Sequence, residues 1–145
     1  MSSLTLARDA MQVILQNVPQ QTLQRTTYCA MVVKLATGVQ AVVVAEAGAT
    51  ASGINGRLVD LLDNQLCGAG GVAIIPCADP TPGQGTWHMN DAEQQALRTV
   101  QNPGNQTFVG ATIKAVVANR PICAQCSFSL GQLGLTVTAS EAVAS

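Results

Sequence analysis

A chain of 145 residues, 48% apolar and 10% charged, is long enough to bury one core, and that composition excludes intrinsic disorder. The formal charge is −1, and the seven basic residues (Arg8, Arg25, Lys34, Arg57, Arg98, Lys114, Arg120) are scattered. That excludes a basic run suited to broad nucleic-acid binding. No apolar run reaches membrane-spanning length, and residues 1–10 lack a basic stretch followed by an apolar one; a soluble chain with no membrane partner is expected.

Residues 4–18 carry apolar side chains at 4, 7, 11, 14 and 18, widened by 6, 10 and 13, the period of an amphipathic helix. Ser2 or Ser3 supplies its cap and Pro19 its stop. Residues 26–34 and 39–45 are rich in β-branched side chains with Thr37-Gly38 between them, which predicts an antiparallel hairpin. Their near-continuous apolarity implies cover on both sheet faces. An insertion is expected at about 48–88: a short helix over 54–66, a break at 68–71, an additional strand over 72–77 and a loop over 79–85. None of its glycines forms a phosphate-binding loop, because no lysine-serine or lysine-threonine pair follows. A second helix is predicted over 90–100 with its exit at 102–105, then a strand over 107–117, a helix over 123–133 stopped by Gly134, and a last strand over 135–138. Residues 139–145, small and polar, are expected to fray. The order helix, strand, strand, insertion, helix, strand, helix, strand describes an α/β fold with a mixed sheet, read as a single domain over 1–145.

Five cysteines is an odd number without the density of a disulfide framework. Cys29, Cys67 and Cys77 lie in apolar surroundings and are expected as small buried residues. Cys123 and Cys126 differ. Three apart at a predicted helix start, their sulfurs can face one point, and the helix N-terminus favours the thiolates that zinc binds. A closed structural zinc site needs four protein ligands, usually a second such pair or two histidines, and the sequence offers neither. Three protein ligands with water in the fourth position is the catalytic arrangement. Asp91, in the first turn of the preceding helix, is the third ligand expected; His88 takes that place if the turn brings it there. Glu93 is then the carboxylate that moves protons. Trp87 and His88 are placed to stack on or hydrogen-bond a base, and Arg120 to meet a phosphate. A plainer reading makes Asn90 a helix cap with Glu93 completing a capping box, and Trp87 a loop anchor.

The sequence DAE at 91–93 followed by PICAQC at 121–126 is similar to the H-x-E and P-C-x-x-C pattern of zinc nucleobase deaminases. An aspartate stands in the histidine position, and Ile122 separates the proline from the first cysteine. In these residues and in element order, the chain resembles the cytidine deaminase-like superfamily, particularly the toxin-type deaminases of bacterial polymorphic toxins. The resemblance implies a three-layer α/β/α fold. It also implies a zinc ion on Asp91, Cys123 and Cys126, with Glu93 as proton shuttle. The implied reaction is hydrolytic deamination of a nucleobase, cytosine to uracil in DNA or RNA before adenine or a free nucleoside. A toxin domain of this kind would be delivered within a secreted protein, act in the cytoplasm and be masked by an immunity protein. The rival readings are a catalytically inactive deaminase-like binding module, a free-nucleoside deaminase and a thiol-disulfide oxidoreductase. In a thioredoxin-like fold most of the chain follows the cysteine pair, whereas only 19 residues follow Cys126 here.

Overall fold

The computed structural model describes residues 2–47, 56–66, 72–77 and 91–144. Helix α1 (Ser3–Asn17) opens on Ser2, whose hydroxyl accepts from the Thr5 N–H at 3.1 Å, and ends at Val18 before Pro19. Its buried stripe includes Leu6, Ala10, Met11 and Ile14. Pro19 does more than stop α1, because it also caps a short helix α2 (Gln20–Arg25) that the sequence pattern did not announce. Strands β1 (Tyr28–Lys34) and β2 (Gln40–Glu46) form the expected antiparallel hairpin, with Tyr28 opposite Glu46 and Lys34 opposite Gln40. Gly38 makes the turn at φ +91°, a conformation that side chains with a Cβ resist.

Helix α3 (Gly56–Leu66) and strand β3 (Val72–Pro76) follow, and β3 lies parallel to β2. Ile54, the 68–71 break, the 79–85 loop, Trp87 and His88 fall outside the described residues. Helix α4 (Ala92–Gln101) and a single 3₁₀ turn (Gln106–Phe108) lead to strand β4 (Thr112–Ala118). The strand expected from residue 107 therefore starts five residues later. Phe108 is buried in the core, and Gly110 turns the chain at φ +76° before pairing can begin. Helix α5 (Ala124–Gln132) gives way at Gly134, φ +88°, to strand β5 (Leu135–Thr138).

The tail expected to fray does not. Residues 141–144 form strand β6 (Glu141–Ala144), which pairs antiparallel with β5 and, on its other side, with β4. Pairing on both edges satisfies its backbone, and Ala142 is fully buried. The mixed sheet runs β3-β2-β1-β4-β6-β5. Alternate residues of β1 feed two cores. Ala30 and Val32 pack with Leu6, Ile14 and Leu62 of α1 and α3, whereas Cys29, Met31 and Val33 pack with Ala96, Leu97 and Leu130 of α4 and α5. Helices thus cover both faces, as the apolarity of the hairpin required. Among the described residues no helix is long and apolar enough to cross a membrane.

The strand directions bring several element ends to one rim of the sheet. With β2, β3 and β4 running one way and β1 the other, the C-terminal ends of β2, β3 and β4 and the start of β1 share one end of the sheet. Helices α4 and α5 both begin there.

Two consequences can be measured. Ala142→Asp places a carboxylate at the one buried position of β6 and should cost on the order of 3 kcal/mol in urea unfolding. Thr136→Asp, on the exposed face of β5, should stay within about 0.5 kcal/mol. The second concerns Arg8 of α1, whose Nε and Nη2 donate to the Glu141 carboxylate at 2.7 and 2.8 Å. Those hydrogen bonds hold the Glu141 carboxyl below its ordinary value. A depressed carboxyl contributes stability above the ordinary carboxylate pKa of about 4.3, and loses it as pH falls through the folded-state value. The gap in urea midpoint between wild type and Glu141→Gln should therefore be small at pH 7, the pair being partly exposed. It should close on acidification below pH 4.

Candidate metal centre

The β4–α5 connection is held on both sides. Asn119 accepts the Tyr28 N–H at 2.8 Å and donates through Nδ2 to the carbonyls of Thr26 at 3.1 Å and Leu23 at 3.3 Å. From the other side the Ile122 N–H reaches the carbonyl of Ala139 at 2.8 Å. Cys123 then caps α5, its sulfur accepting the Cys126 N–H at 3.4 Å. One helical turn later, Cys126 is fully buried. On the neighbouring helix, Asp91 is the N-cap of α4, yet its side chain makes no capping bond. The capping-box reading fails at that point: Glu93 is the second helical residue, and Asn90 lies outside the described residues.

The Asp91 carboxylate turns instead to the cysteines. Its Oδ2 lies 3.3 Å from Cys123 Sγ and 3.5 Å from Cys126 Sγ, and the two sulfurs are 3.3 Å apart. Tetrahedral zinc with Zn–S about 2.3 Å and Zn–O about 2.0 Å would set S···S near roughly 3.7 Å and S···O near roughly 3.5 Å. The triangle matches those edges within a few tenths of an ångström, so these three donors can hold a divalent ion at one point.

Electrostatics points the same way. Glu93, 3% exposed, places Oε2 at 3.7 Å from Cys126 Sγ. Burial raises the Glu93 carboxyl above its ordinary value, and the neighbouring Asp91 charge adds to the shift. Burial also pushes the Cys126 thiol well up, with the charge of Glu93 next in weight. Burial thus disfavours the charged forms of Glu93 and Cys126, and a cation bound beside them would offset that penalty.

The structure thus brings together Asp91, Glu93, Cys123 and Cys126. Arg120 lies three residues before Cys123, and its Nη2 donates to the Leu23 carbonyl at 3.3 Å. Trp87 and His88 cannot be assigned to the site, being outside the described residues. Cys29 and Cys77 are buried in the core as expected, and Cys77 Sγ lies 3.0 Å from the Thr99 hydroxyl. Cys67 falls outside the described residues. Sequence reading missed Asn119, and also Gln94, whose Nε2 approaches Cys126 Sγ at 3.8 Å. The three-residue step from Asp91 to Gln94, one helical turn, was the available signal.

Compared with protein-family models, curated proteins and solved structures, the chain gives no match. The centre must be interpreted from its own chemistry.

Purified protein reconstituted with zinc under reducing conditions should contain about one ion per chain by elemental analysis. Cys123→Ser and Cys126→Ser should lose it, and Asp91→Ala should hold it more weakly. Full retention in Asp91→Ala would move the third ligand elsewhere.

Proposed function

We propose that this protein is a zinc-dependent hydrolytic deaminase of a nucleobase, acting on cytosine in a polynucleotide, on a cytidine deaminase-like fold. The observation that carries the reading is the meeting of Asp91, Cys123 and Cys126 at one point, with buried Glu93 beside it. A carboxylate two residues beyond one donor, on a helix facing two cysteines one turn apart, is the constellation those enzymes use. The helical cover on both sides of a mixed sheet is consistent with the three-layer arrangement of that superfamily.

When bound, zinc supplies Lewis acidity and lowers the pKa of water at its open position toward neutrality. Glu93 takes a proton from the attacking water and delivers it to the ring nitrogen. It then protonates the departing amine, so that cytosine and water give uracil and ammonia. Its burial suits this work, because a carboxyl raised above its ordinary value is a stronger proton acceptor than an exposed one. Asp91 closes the ligand set, and Cys123 and Cys126 contribute the softer donors.

The rim also favours a phosphate-bearing substrate over a free nucleoside. Arg120 stands in the loop before Cys123, where its guanidinium also donates to the Leu23 carbonyl. It is suited to the backbone of a strand whose base enters the centre.

Mass spectrometry of single-stranded DNA, RNA and cytidine incubated with the zinc-loaded protein should register amine-to-carbonyl conversion, greatest on a polynucleotide. Glu93→Gln, with zinc content unchanged, should lower the rate by about 10² or more. Conversion at the wild-type rate in Glu93→Gln would sink the mechanism. No conversion of any substrate by the zinc-loaded wild type would leave a binding module.

A further inference from the structure

We infer that Gln94 is a positioning residue for the Cys126 sulfur: its amide holds an N–H against the thiolate and sets how firmly the centre keeps its metal. The inference rests on the metal-binding part of the reading above and on no particular substrate. Gln94 stands on α4 one residue beyond Glu93 and three beyond Asp91, and it faces α5. Across the interface, Cys126 and Ser129 are also three apart, so both lie on the side of α5 that Gln94 meets. Gln94 Nε2 is 3.8 Å from Cys126 Sγ and 3.1 Å from Ser129 Oγ, and that hydroxyl is 3.2 Å from the Gln125 carbonyl oxygen.

These bonds have one consistent direction. Ser129 donates its proton to the Gln125 carbonyl, so its oxygen accepts from Gln94. That requires the nitrogen, not the oxygen, of the Gln94 amide to face α5. An amide nitrogen carries two N–H bonds; with one on Ser129, the second is available to the sulfur.

The centre needs such donors. Two thiolates and a carboxylate around a divalent ion sum to −1, and Glu93 adds a further carboxyl within 3.7 Å of Cys126 Sγ. An N–H directed at a thiolate disperses that excess charge and fixes the sulfur lone pair that faces the metal. Cys123 Sγ receives the backbone N–H of Cys126 at 3.4 Å. Gln94 supplies the corresponding bond to Cys126, and Ser129 keeps the amide turned the right way.

The test is a cobalt(II) titration of the full chain against a competing chelator, followed by absorption spectroscopy, with circular dichroism to establish folding. Gln94→Met keeps the length of the side chain without its donor. It should weaken cobalt binding about 10- to 100-fold. It should also move the sulfur-to-cobalt charge-transfer band to lower energy, because the thiolate lone pair is no longer stabilised by an N–H. Ser129→Ala, which frees the amide without removing it, should shift both readings the same way by less. Should Gln94→Met fail to fold, the Ser129→Ala shift carries the test alone. Unchanged affinity and an unshifted band would overturn the inference while leaving the metal centre intact. Weaker binding with an unshifted band would also overturn it, since it would mark Gln94 as packing only. A wild type that takes up no cobalt would overturn the metal reading and this inference with it.

Discussion

Two carboxyls and two thiols share one half-buried corner of this protein, and packing that polar set together is the constraint around which the rest of the rim is arranged. Asp91 and the two cysteines come within 3.3–3.5 Å of one another, close enough for the thiols to donate to the carboxylate or for all three groups to hold one cation. Helix geometry makes the approach feasible. The donors come from the first turns of α4 and α5, where partial positive charge on unbonded N–H groups favours anionic side chains. Helix C-termini at the same spot would have disfavoured every one of them.

Holding two helix starts in register demands more than the helices themselves. Gln95, buried in α4, donates to the carbonyl of Glu46 at the end of β2 at 3.0 Å. Glu46 in turn accepts the Tyr28 hydroxyl at 2.7 Å. Asn119 bridges Leu23, Thr26 and Tyr28. The rim is therefore knitted by side chains reaching across strand ends, where sheet pairing has stopped and backbone groups need other partners. Substitutions at Asn119 or Gln95 are expected to act on the centre from a distance, through the position of a helix start.

Much of this was legible in the sequence. The 3.6-residue stripe of α1 and the apolar hairpin of β1 and β2 mark themselves, because burial imposes their periods directly. The cysteine pair and the DAE stretch were legible as donor chemistry at helix starts. Their convergence follows from the element order, a helix, a strand and a helix that bring both donor sets to one end of the sheet, although Asp-x-Glu at a helix N-terminus taken alone is equally a cap until the direction of the carboxylate is known. Thr107 reads as strand because the β propensity of TFV says nothing of the turn that Gly110 imposes. Strand β6 was invisible for another reason. Glu-Ala-Val-Ala carries little intrinsic preference, and its strand exists because β4 and β5 leave a gap of one strand's width between them. Asn119 contacts partners more than 90 residues away, beyond any local pattern.

The insertion of β6 also orders events in time. The Ile122 N–H that steadies the approach to Cys123 is bonded to Ala139, within the turn that joins β5 to β6. Glu141 meets Arg8 across 133 positions of sequence. Contacts of such range form late, after the entropy of closing a long loop has been overcome. Without residues 139–144 the loop between β4 and α5 keeps its Asn119 bonds to Tyr28, Thr26 and Leu23 but loses the bond at Ile122. The β5–β6 hairpin thus acts as a latch on the Cys123 side of that loop, although it follows in sequence the donors it steadies.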